Sequence, residues 1–224
     1  MRWGEEEIEQ VEHYADAGDS GAVQVIHTWQ TWDRPKPWVK RSGQHIGRAT
    51  NRPPESVHGL CIHQTDVRGG FGARDLDHLI ERYAQTPYHV IANPRYRIVL
   101  VQYPVAAYTY HGNGCNRYTL GVAIDGSYRD DSRGRDVLDA AAADVMREAI
   151  RTAIDIGTSE GAWPGRRPVI EAHAQHSAAR AVDPGRDVWQ RCVMPTIYDR
   201  AADLRPDHHT GTGRTLTRSW YEQD

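Results

Sequence analysis

The sequence predicts an α/β domain, built as a central mixed β-sheet flanked by helices, with an N-terminal extension. Two observations support this fold class: short β-rich apolar runs recur along the chain, and helical patterns separate several of them. A length of 224 residues is enough to bury one sizeable core. We therefore expect an extension over residues 1–56 that packs on the main domain, a main domain over 57–204 and a C-terminal tail over 205–224.

Six apolar runs predict the strands of the sheet. They are residues 23–27, 57–63, 88–92, 97–101, 118–124 and 168–172. The turn sequence Asn-Pro-Arg-Tyr at 93–96 joins the third and fourth runs. These two strands should therefore form an antiparallel hairpin.

Four segments carry helical patterns: 5–16, 75–84, 137–156 and 188–204. The third is the strongest, because its centre is rich in alanine and Gly157 follows it as a predicted C-cap. The fourth should bend near Pro195. We expect irregular structure over 29–56, which carries three Trp and four Pro, and a loop or frayed tail after Arg205.

Composition restricts the class of function. A formal charge of −3, with 39% hydrophobic and 25% charged residues, is typical of an ordinary globular protein and argues against a general nucleic-acid or membrane-surface binder. No apolar run approaches the roughly 20 residues of a membrane span. Three widely spaced cysteines, Cys61, Cys115 and Cys192, do not make a disulfide framework. The acidic N-terminus lacks the apolar segment of a secretion signal.

Three polar residues carry the strongest functional signal. His63 ends one apolar run, His173 follows another, and Asp183 stands in the sequence Val-Asp-Pro-Gly at 182–185. Two imidazoles and one carboxylate are a ligand set that suits Zn²⁺, and three protein ligands leave a fourth position for water. Each residue alone is a weak signal, since Asp-Pro-Gly is usually only a turn. Together they predict a hydrolytic zinc site.

Four motifs in order resemble the zinc-dependent N-acetylmuramoyl-L-alanine amidases, whose fold T7-type phage lysozyme and peptidoglycan recognition proteins share. They are His-Gln-Thr at 63–65, Tyr-His-Val-Ile at 88–91, Asn-Arg-Tyr-Thr-Leu-Gly-Val at 116–122, and His173 followed ten residues later by Asp-Pro-Gly at 183–185. The resemblance covers residues 57–186, and its specificity comes from the order of the motifs.

The resemblance implies that His63, His173 and Asp183 bind zinc. It also implies the reaction, hydrolysis of the amide between N-acetylmuramic acid and L-alanine in peptidoglycan. Tyr88 is expected close to the metal, where its hydroxyl would donate to the oxyanion and lower the barrier by roughly 2–4 kcal/mol. The alternative for Tyr88 is a half-buried tyrosine of a strand.

The loop that precedes the third motif borders the substrate groove in the family. The resemblance therefore implies that His111 and Asn116 contact the glycan or the peptide, and a turn with an internally bonded histidine is the alternative. His89 should face away from Tyr88 into the core. A thiol nucleophile at Cys115 is disfavoured, because nothing in the sequence orders a base around it.

Two positions depart from the family pattern. Ala123 stands where one branch carries a glutamate, and Ala181 stands where many members carry a lysine. Asp125 shares a strand face with Ala123 by period-two alternation. Arg180 or His176 is expected to supply the missing positive charge, with ordinary surface charge as the alternative. The general acid and base are therefore unassigned.

The absence of a secretion signal leads us to expect a phage or prophage endolysin, made in the bacterial cytoplasm and released through a holin. We expect a monomer that acts on peptidoglycan, without a nucleic-acid partner and without membrane insertion. Two alternatives stay open: a recognition module that binds peptidoglycan without cutting it, and a zinc amidohydrolase for another N-acyl amino acid. The presence of all three ligands favours the amidase, because recognition proteins commonly lose one.

Overall fold

A computed structural model describes residues 22–28, 50–72, 76–83, 86–129, 136–199 and 201–221. The helix expected at 5–16 and residues 29–49 of the segment expected to be irregular lie outside these ranges. All residues of the predicted zinc site lie within them.

The described strands form a seven-stranded sheet and a two-stranded sheet. In chain order they are β1 Gln24–His27, β2 Thr50–Asn51, β3 Gly59–Gln64, β4 Val90–Asn93, β5 Ile98–Val101, β6 Ala107–Tyr108, β7 Thr119–Ile124, β8 Val169–Ala172 and β9 Asp203–Leu204. The large sheet has the order β1-β5-β4-β7-β3-β8-β9, and β2 pairs with β6. Within the large sheet β4 and β5 are antiparallel and the other pairs are parallel, so the predicted mixed sheet and hairpin are confirmed.

The strand predicted at 23–27 is confirmed as β1, which lies at one edge of the large sheet. It pairs in parallel with β5, with Gln24 opposite Ile98 and His27 opposite Val101. This piece of the expected N-terminal extension is therefore part of the sheet. The boundary at residue 56 stays a prediction.

The helices lie on both faces of the sheet. They are α1 Leu76–Tyr83, α2 Ala140–Ser159, α3 Arg186–Val188, α4 Met194–Tyr198 and α5 Arg218–Tyr221, and the π-helical turn Trp189–Val193 joins α3 to α4. None of the helices in the described ranges has the length and apolarity that crossing a lipid bilayer requires. The fold class expected from the sequence, a mixed sheet flanked by helices, is confirmed.

Alternation along the strands divides the sheet into an apolar face and a partly polar face. Leu60 and Ile62 of β3 belong to the large apolar core that includes Met146 and Ile150 of α2. The opposite face is covered in part by α1, where Leu79 packs in a smaller apolar cluster. The rest of that face carries polar side chains, and the predicted zinc ligands are among them.

Helix α2 begins at Ala140 and not at the predicted Val137, and the C-terminal ends of two helices also differ from the prediction. Gly157 does not cap α2, because the helix continues to Ser159 and its C-cap is Glu160. The ring of Trp163 packs on Gly157, where a Cβ atom would lie 1.8 Å from the ring. This glycine is therefore selected by a tertiary contact inside the helix, which its sequence position alone did not reveal.

The helix expected over 188–204 ends at Tyr198. The chain then turns, and β9 adds to the free edge of β8, with Asp203 opposite Val169. The expected interruption near Pro195 is present as the π-helical turn before α4. Pairing with an open sheet edge thus replaces the last turns of the expected helix.

The C-terminal tail is mostly loop, as expected, but it is hydrogen-bonded to the segment that follows β8. The Thr210 amide donates to the Gln175 carbonyl at 2.9 Å, and the Arg214 amide donates to the Ala174 carbonyl at 3.1 Å. In α5 the buried Trp220 packs against Trp189, with ring centroids 6.0 Å apart. The described tail is therefore packed on the domain, which agrees with the loop alternative of the prediction.

Candidate metal centre

Parallel pairing of β3 and β8 brings the two predicted histidine ligands together. Ile62 lies opposite Ala172 in the register of these strands. The next residue on each strand is a histidine, His63 within β3 and His173 at the start of the 3-10 helix His173–Gln175. Two residues 110 positions apart in sequence therefore lie side by side.

The three predicted ligand atoms converge. His63 Nδ1 lies 3.0 Å from His173 Nδ1, and His173 Nδ1 lies 2.9 Å from Asp183 Oδ2. The remaining distance, from His63 Nδ1 to Asp183 Oδ2, is 3.9 Å. His63 is fully buried, while His173 keeps 8% of its surface exposed, so the cluster reaches the surface at His173.

These distances fit a metal site. Ligand bonds of about 2 Å around a tetrahedral zinc ion separate neighbouring ligand atoms by roughly 3.3 Å, and the three measured separations lie on both sides of this value. Imidazole nitrogen and carboxylate oxygen are both donors that zinc prefers. The residues present therefore fit a zinc ion.

The hydrogen bonds of His63 define where its lone pair points. His111 Nε2 lies 3.2 Å from the Thr119 carbonyl oxygen, which can only accept, so this nitrogen carries the proton. His111 Nδ1 is then the acceptor for His63 Nε2 at 3.1 Å. With its proton on Nε2, neutral His63 presents a bare Nδ1 lone pair to His173 and Asp183.

Burial favours these neutral forms. It lowers the pKa of His63 well below the usual value, and the neighbouring His173 and His111 act in the same direction. Burial is also the main cause of the lowered pKa of His111. A neutral imidazole is the form that binds a metal.

Backbone groups orient the carboxylate ligand. The Gln64 amide donates to Asp183 Oδ1 at 2.8 Å, which leaves Oδ2 facing the two imidazoles. The bond between Asp183 and Pro184 is cis. Gly185 has a φ of 97°, and a Cβ atom there would lie 2.0 Å from the Tyr128 carbonyl oxygen. The Asp-Pro-Gly motif thus needs its glycine for a close backbone approach.

Tyr88 lies beside the cluster, where the resemblance placed it. Its ring centroid is 5.0 Å from that of His63, and its side chain is half-buried. Burial, followed by the charge of Asp183, raises the pKa of Tyr88, so its hydroxyl keeps its proton at neutral pH. The catalytic role of Tyr88 stays a prediction.

The neighbours of Ala123 and Asp125 show what lies where the sequence departs from the family pattern. Ala123 lies opposite His63 in the pairing of β7 with β3, so a methyl group occupies the place where one branch carries a glutamate. Asp125 accepts from the Thr65 hydroxyl at 2.7 Å, the Phe71 amide at 2.7 Å and the Tyr83 hydroxyl. This carboxylate therefore joins the loop after β3 to α1, and does not replace the glutamate.

The two candidate cations differ in position. Arg180 is exposed, and its positive charge acts to lower the pKa of both His63 and Tyr88. His176 is fully buried, with Nε2 3.1 Å from Glu171 Oε2 and Nδ1 2.8 Å from the Thr210 hydroxyl. Arg180 is thus the candidate whose charge acts on Tyr88 from the surface.

The two predicted substrate contacts form internal hydrogen bonds. Asn116 Oδ1 accepts from the Gly112 amide at 2.6 Å, and the Asn116 carbonyl accepts from Arg52 Nη1 at 2.7 Å. His111 is 4% exposed and bonds to His63. A contact with substrate stays a prediction for both, and the contact of His111 with His63 was not foreseen.

Gly121 was a sequence signal for where the His111 side chain packs. A Cβ atom at this position would lie 2.5 Å from His111 Cγ, so the histidine side chain lies directly over the glycine.

His89 is buried, as expected: its Nδ1 accepts from the Gly121 amide at 3.0 Å, and Nε2 donates to the Ala107 carbonyl at 2.9 Å. Burial, then the charge of Arg52, lowers the pKa of His89 to about 3.

Fold and site together define an α/β protein with a candidate mononuclear metal centre, built from two imidazoles at the ends of adjacent parallel strands and one carboxylate from a loop. No protein-family model matches the sequence, and no curated protein matches it either. Several solved structures do.

The first is an N-acetylmuramoyl-L-alanine amidase from Clostridium intestinale, at 12% identity over 73% of this chain and 90% of that chain, with a TM-score of 0.44. The second is the endolysin of bacteriophage Ph2119 from Thermus scotoductus, at 16% identity over 72% and 92%, with a TM-score of 0.45. The third is Drosophila peptidoglycan recognition protein SA, at 16% identity over 85% and 99%, with a TM-score of 0.49. By their names, these proteins are of the group that the sequence motifs resemble.

Proposed function

We propose that this protein is a zinc-dependent peptidoglycan hydrolase that cleaves the amide between N-acetylmuramic acid and L-alanine. The observation that carries the proposal is the convergence of His63 Nδ1, His173 Nδ1 and Asp183 Oδ2, with no pair more than 3.9 Å apart. The substrate class rests on the four ordered motifs that resemble the amidases.

Three side chains would hold the metal, and two further groups keep them in place. His63 and His173 bind through Nδ1 and Asp183 through Oδ2, while His111 accepts the Nε2 proton of His63 and the Gln64 amide holds Asp183 Oδ1. Zinc, when bound, supplies a Lewis acid and lowers the pKa of a water molecule to about 7. The hydrogen bonds around the ligands reduce the reorganisation that metal binding requires.

Tyr88 and Arg180 act on the substrate. Because Tyr88 remains protonated, its hydroxyl can donate to the amide carbonyl oxygen as negative charge develops there. The exposed Arg180 provides a positive charge at the entrance to the site, which suits the carboxylates of a peptide stem. Tyr88 therefore favours the transition state, while Arg180 favours binding of the substrate.

The proposal does not assign a carboxylate base. Ala123 replaces the glutamate of one amidase branch, and the oxygens of Asp125 accept from Tyr83, Phe71 and Thr65. In the described ranges, Asp183 is the carboxylate that contacts the two imidazoles. Catalysis would therefore rest on the ion and on the donor at Tyr88.

A digestion of purified cell walls tests the activity. We expect a clearing zone in a zymogram that a chelator removes and added Zn²⁺ restores. Mass spectrometry of the digest should show peptides with a free L-alanine amino terminus beside intact glycan chains. Walls that retain the protein but release no peptide would identify a recognition module instead.

The same digest distinguishes the proposed amidase from an amidohydrolase that acts on another N-acyl amino acid. If intact walls are not cut but small N-acyl amino acids are hydrolysed in a chelator-sensitive way, the protein is an amidohydrolase of another specificity. The phage origin, the release through a holin and the monomeric state stay predictions.

A further inference from the structure

A second group of metal-binding side chains lies on the same face of the sheet as the candidate centre. Cys61, Cys115 and His176 each offer one donor atom, and these three atoms lie within 4.8 Å of one another. All three residues are fully buried. The hydrolytic mechanism proposed above uses none of them.

The three residues come from segments that the fold brings together. Cys61 precedes His63 by two residues in β3, so both side chains point to the same face. Cys115 lies in the 3-10 helix Asn113–Arg117, and His176 follows the 3-10 helix His173–Gln175. Glu171 lies opposite Cys61 in the pairing of β8 with β3, which adds a carboxylate beside the group.

The sulfur atoms of Cys61 and Cys115 lie within 4.8 Å of each other, and neither residue forms a disulfide. Cys115 also lies 2.7 Å from the Gly112 carbonyl oxygen. The third cysteine, Cys192, is buried against Ala143 of α2, on the opposite face of the sheet.

The imidazole of His176 has one nitrogen without a hydrogen bond. Its Nδ1 lies 2.8 Å from the Thr210 hydroxyl, while Nε2 has no hydrogen-bond partner among the described residues. Nε2 lies 3.1 Å from Glu171 Oε2 all the same. If Nδ1 carries the proton and donates it to Thr210, the bare Nε2 lone pair faces the Glu171 carboxylate, and a metal ion at this position would take the place of the proton that otherwise lies between the two atoms.

We propose that Cys61, Cys115 and His176 bind a second metal ion, with Zn²⁺ as the expected occupant. Two sulfur donors and one imidazole nitrogen are a ligand set that selects thiophilic ions. Glu171 Oε2, beside His176 Nε2, contributes the negative oxygen of the site. The ion replaces the protons of the two thiols, and these protons are released to solvent on binding.

This ion has a structural role. It joins β3, the loop at 113–117 and the turn at 173–176, and these are the segments beside His63, His111 and His173. A closed, buried site made of sulfur and nitrogen ligands stabilises a fold and does not open to substrate. The second ion would thus hold in register the strands that carry the candidate hydrolytic centre.

Metal content and cobalt spectroscopy of the full chain test the proposal. We expect about two equivalents of zinc per chain in protein purified without chelator. Reconstitution with Co²⁺ should produce a sulfur-to-cobalt charge-transfer band, which His63, His173 and Asp183 cannot produce because they contain no sulfur. A wild-type cobalt protein without this band would overturn the proposal, whatever the outcome for the hydrolytic centre.

Variants assign the band to the second site. His173→Ala should lose one equivalent of metal and keep the band, and Cys61→Ser should lose the band. The matched control is Cys192→Ser, which removes a buried thiol outside the group and should keep both. If Cys61→Ser does not fold, the wild-type spectrum still decides. A wild-type mass lower by two hydrogens, showing a disulfide between Cys61 and Cys115, would also refute the proposal.

Discussion

Two polar clusters on the same face of the sheet differ in whether their hydrogen-bond donors are enough for their acceptors. The aspartate cluster consists of Asp125, Tyr83, Asn93 and Thr65. There Asp125 accepts from the hydroxyls of Tyr83 and Thr65, and Asn93 Nδ2 donates to the Tyr83 hydroxyl at 2.6 Å. Each acceptor faces a donor, so this cluster is complete without an ion.

The metal cluster, which is His63, His173 and Asp183, has more lone pairs than protons. The proton of His63 is engaged with His111, so its Nδ1 faces the other two ligand atoms without a proton of its own. Both clusters are buried and both contain a carboxylate. Proton count, and not burial, therefore separates the cluster that presents lone pairs to a cation from the one whose hydrogen bonds hold the fold together.

The largest expected effect is that of His63→Ala. Removing one of three ligands should abolish tight metal binding at this centre, and hydrolysis of cell walls should fall to the background seen with chelator. Metal analysis and a zymogram measure the two effects. Full activity in a variant that has lost this equivalent of metal would show that hydrolysis does not depend on the metal cluster, and the functional distinction between the two clusters would then fail.

A matched pair of tyrosine variants separates the clusters by function. Tyr88→Phe removes the donor beside His63, so kcat should fall roughly 10²- to 10³-fold with unchanged metal content. Tyr83→Phe removes a donor to Asp125, so it should lower the free energy of unfolding by about 1–2 kcal/mol with unchanged kcat. Steady-state kinetics measures kcat, and urea unfolding measures the free energy of unfolding. Equal effects of the two variants on kcat would contradict the assignment of Tyr88 to catalysis and Tyr83 to stability.

His111→Phe sharpens the comparison by removing the acceptor for the His63 proton. Metal affinity should weaken roughly 10- to 100-fold, because the orientation of His63 is lost. His111→Gln keeps an acceptor oxygen and should weaken the affinity less. Competition with a chromogenic chelator gives both dissociation constants. Unchanged affinity in the phenylalanine variant would show that the bond between His63 and His111 does not support the centre.

Asp125→Asn tests the aspartate cluster directly. The amide presents a donor to groups that donate to the carboxylate, so the free energy of unfolding should fall by about 1–3 kcal/mol. Metal content and kcat should not change. Chemical denaturation, with metal analysis on the same sample, checks this. Loss of metal in this variant would show that the two clusters are linked.

A pH effect is expected at His89, another buried group whose hydrogen bonds are complete without an ion. Its pKa falls from 6.5 to about 3 on folding, so between these values only the unfolded chain takes up the proton. Stability should be independent of this residue above pH 6.5 and should decrease below it, by up to about 1.4 kcal/mol per pH unit. Denaturation of metal-free protein across this pH range gives the free energy of unfolding at each pH. Its slope against pH should be smaller in the control variant His89→Gln.

Periodicity and residue chemistry predicted the elements that local sequence controls. Apolar runs located β1, β3, β4, β5, β7 and β8, because a buried strand needs such a run whatever its partner. The turn sequence at 93–96 predicted the antiparallel hairpin. The ligand types and their order predicted which side chains would meet at the metal cluster.

The errors have a common cause in contacts between distant residues. Gly157 lies inside α2 because the ring of Trp163 occupies the space of a side chain there. The expected last helix gives way to β9 because β8 has a free edge. The bond between His111 and His63 was not foreseen, because it became visible only once β7 and β3 were paired.

The sequence by itself determined the strands and the chemical types of the ligands, because hydrophobic pattern and donor chemistry are properties of single residues and their neighbours. Only the tertiary structure decided which nitrogen of His63 carries the proton and which oxygen of Asp183 faces the two imidazoles. Both depend on hydrogen-bond partners 48 to 119 residues away, and contacts of that kind exist only after the sheet has formed.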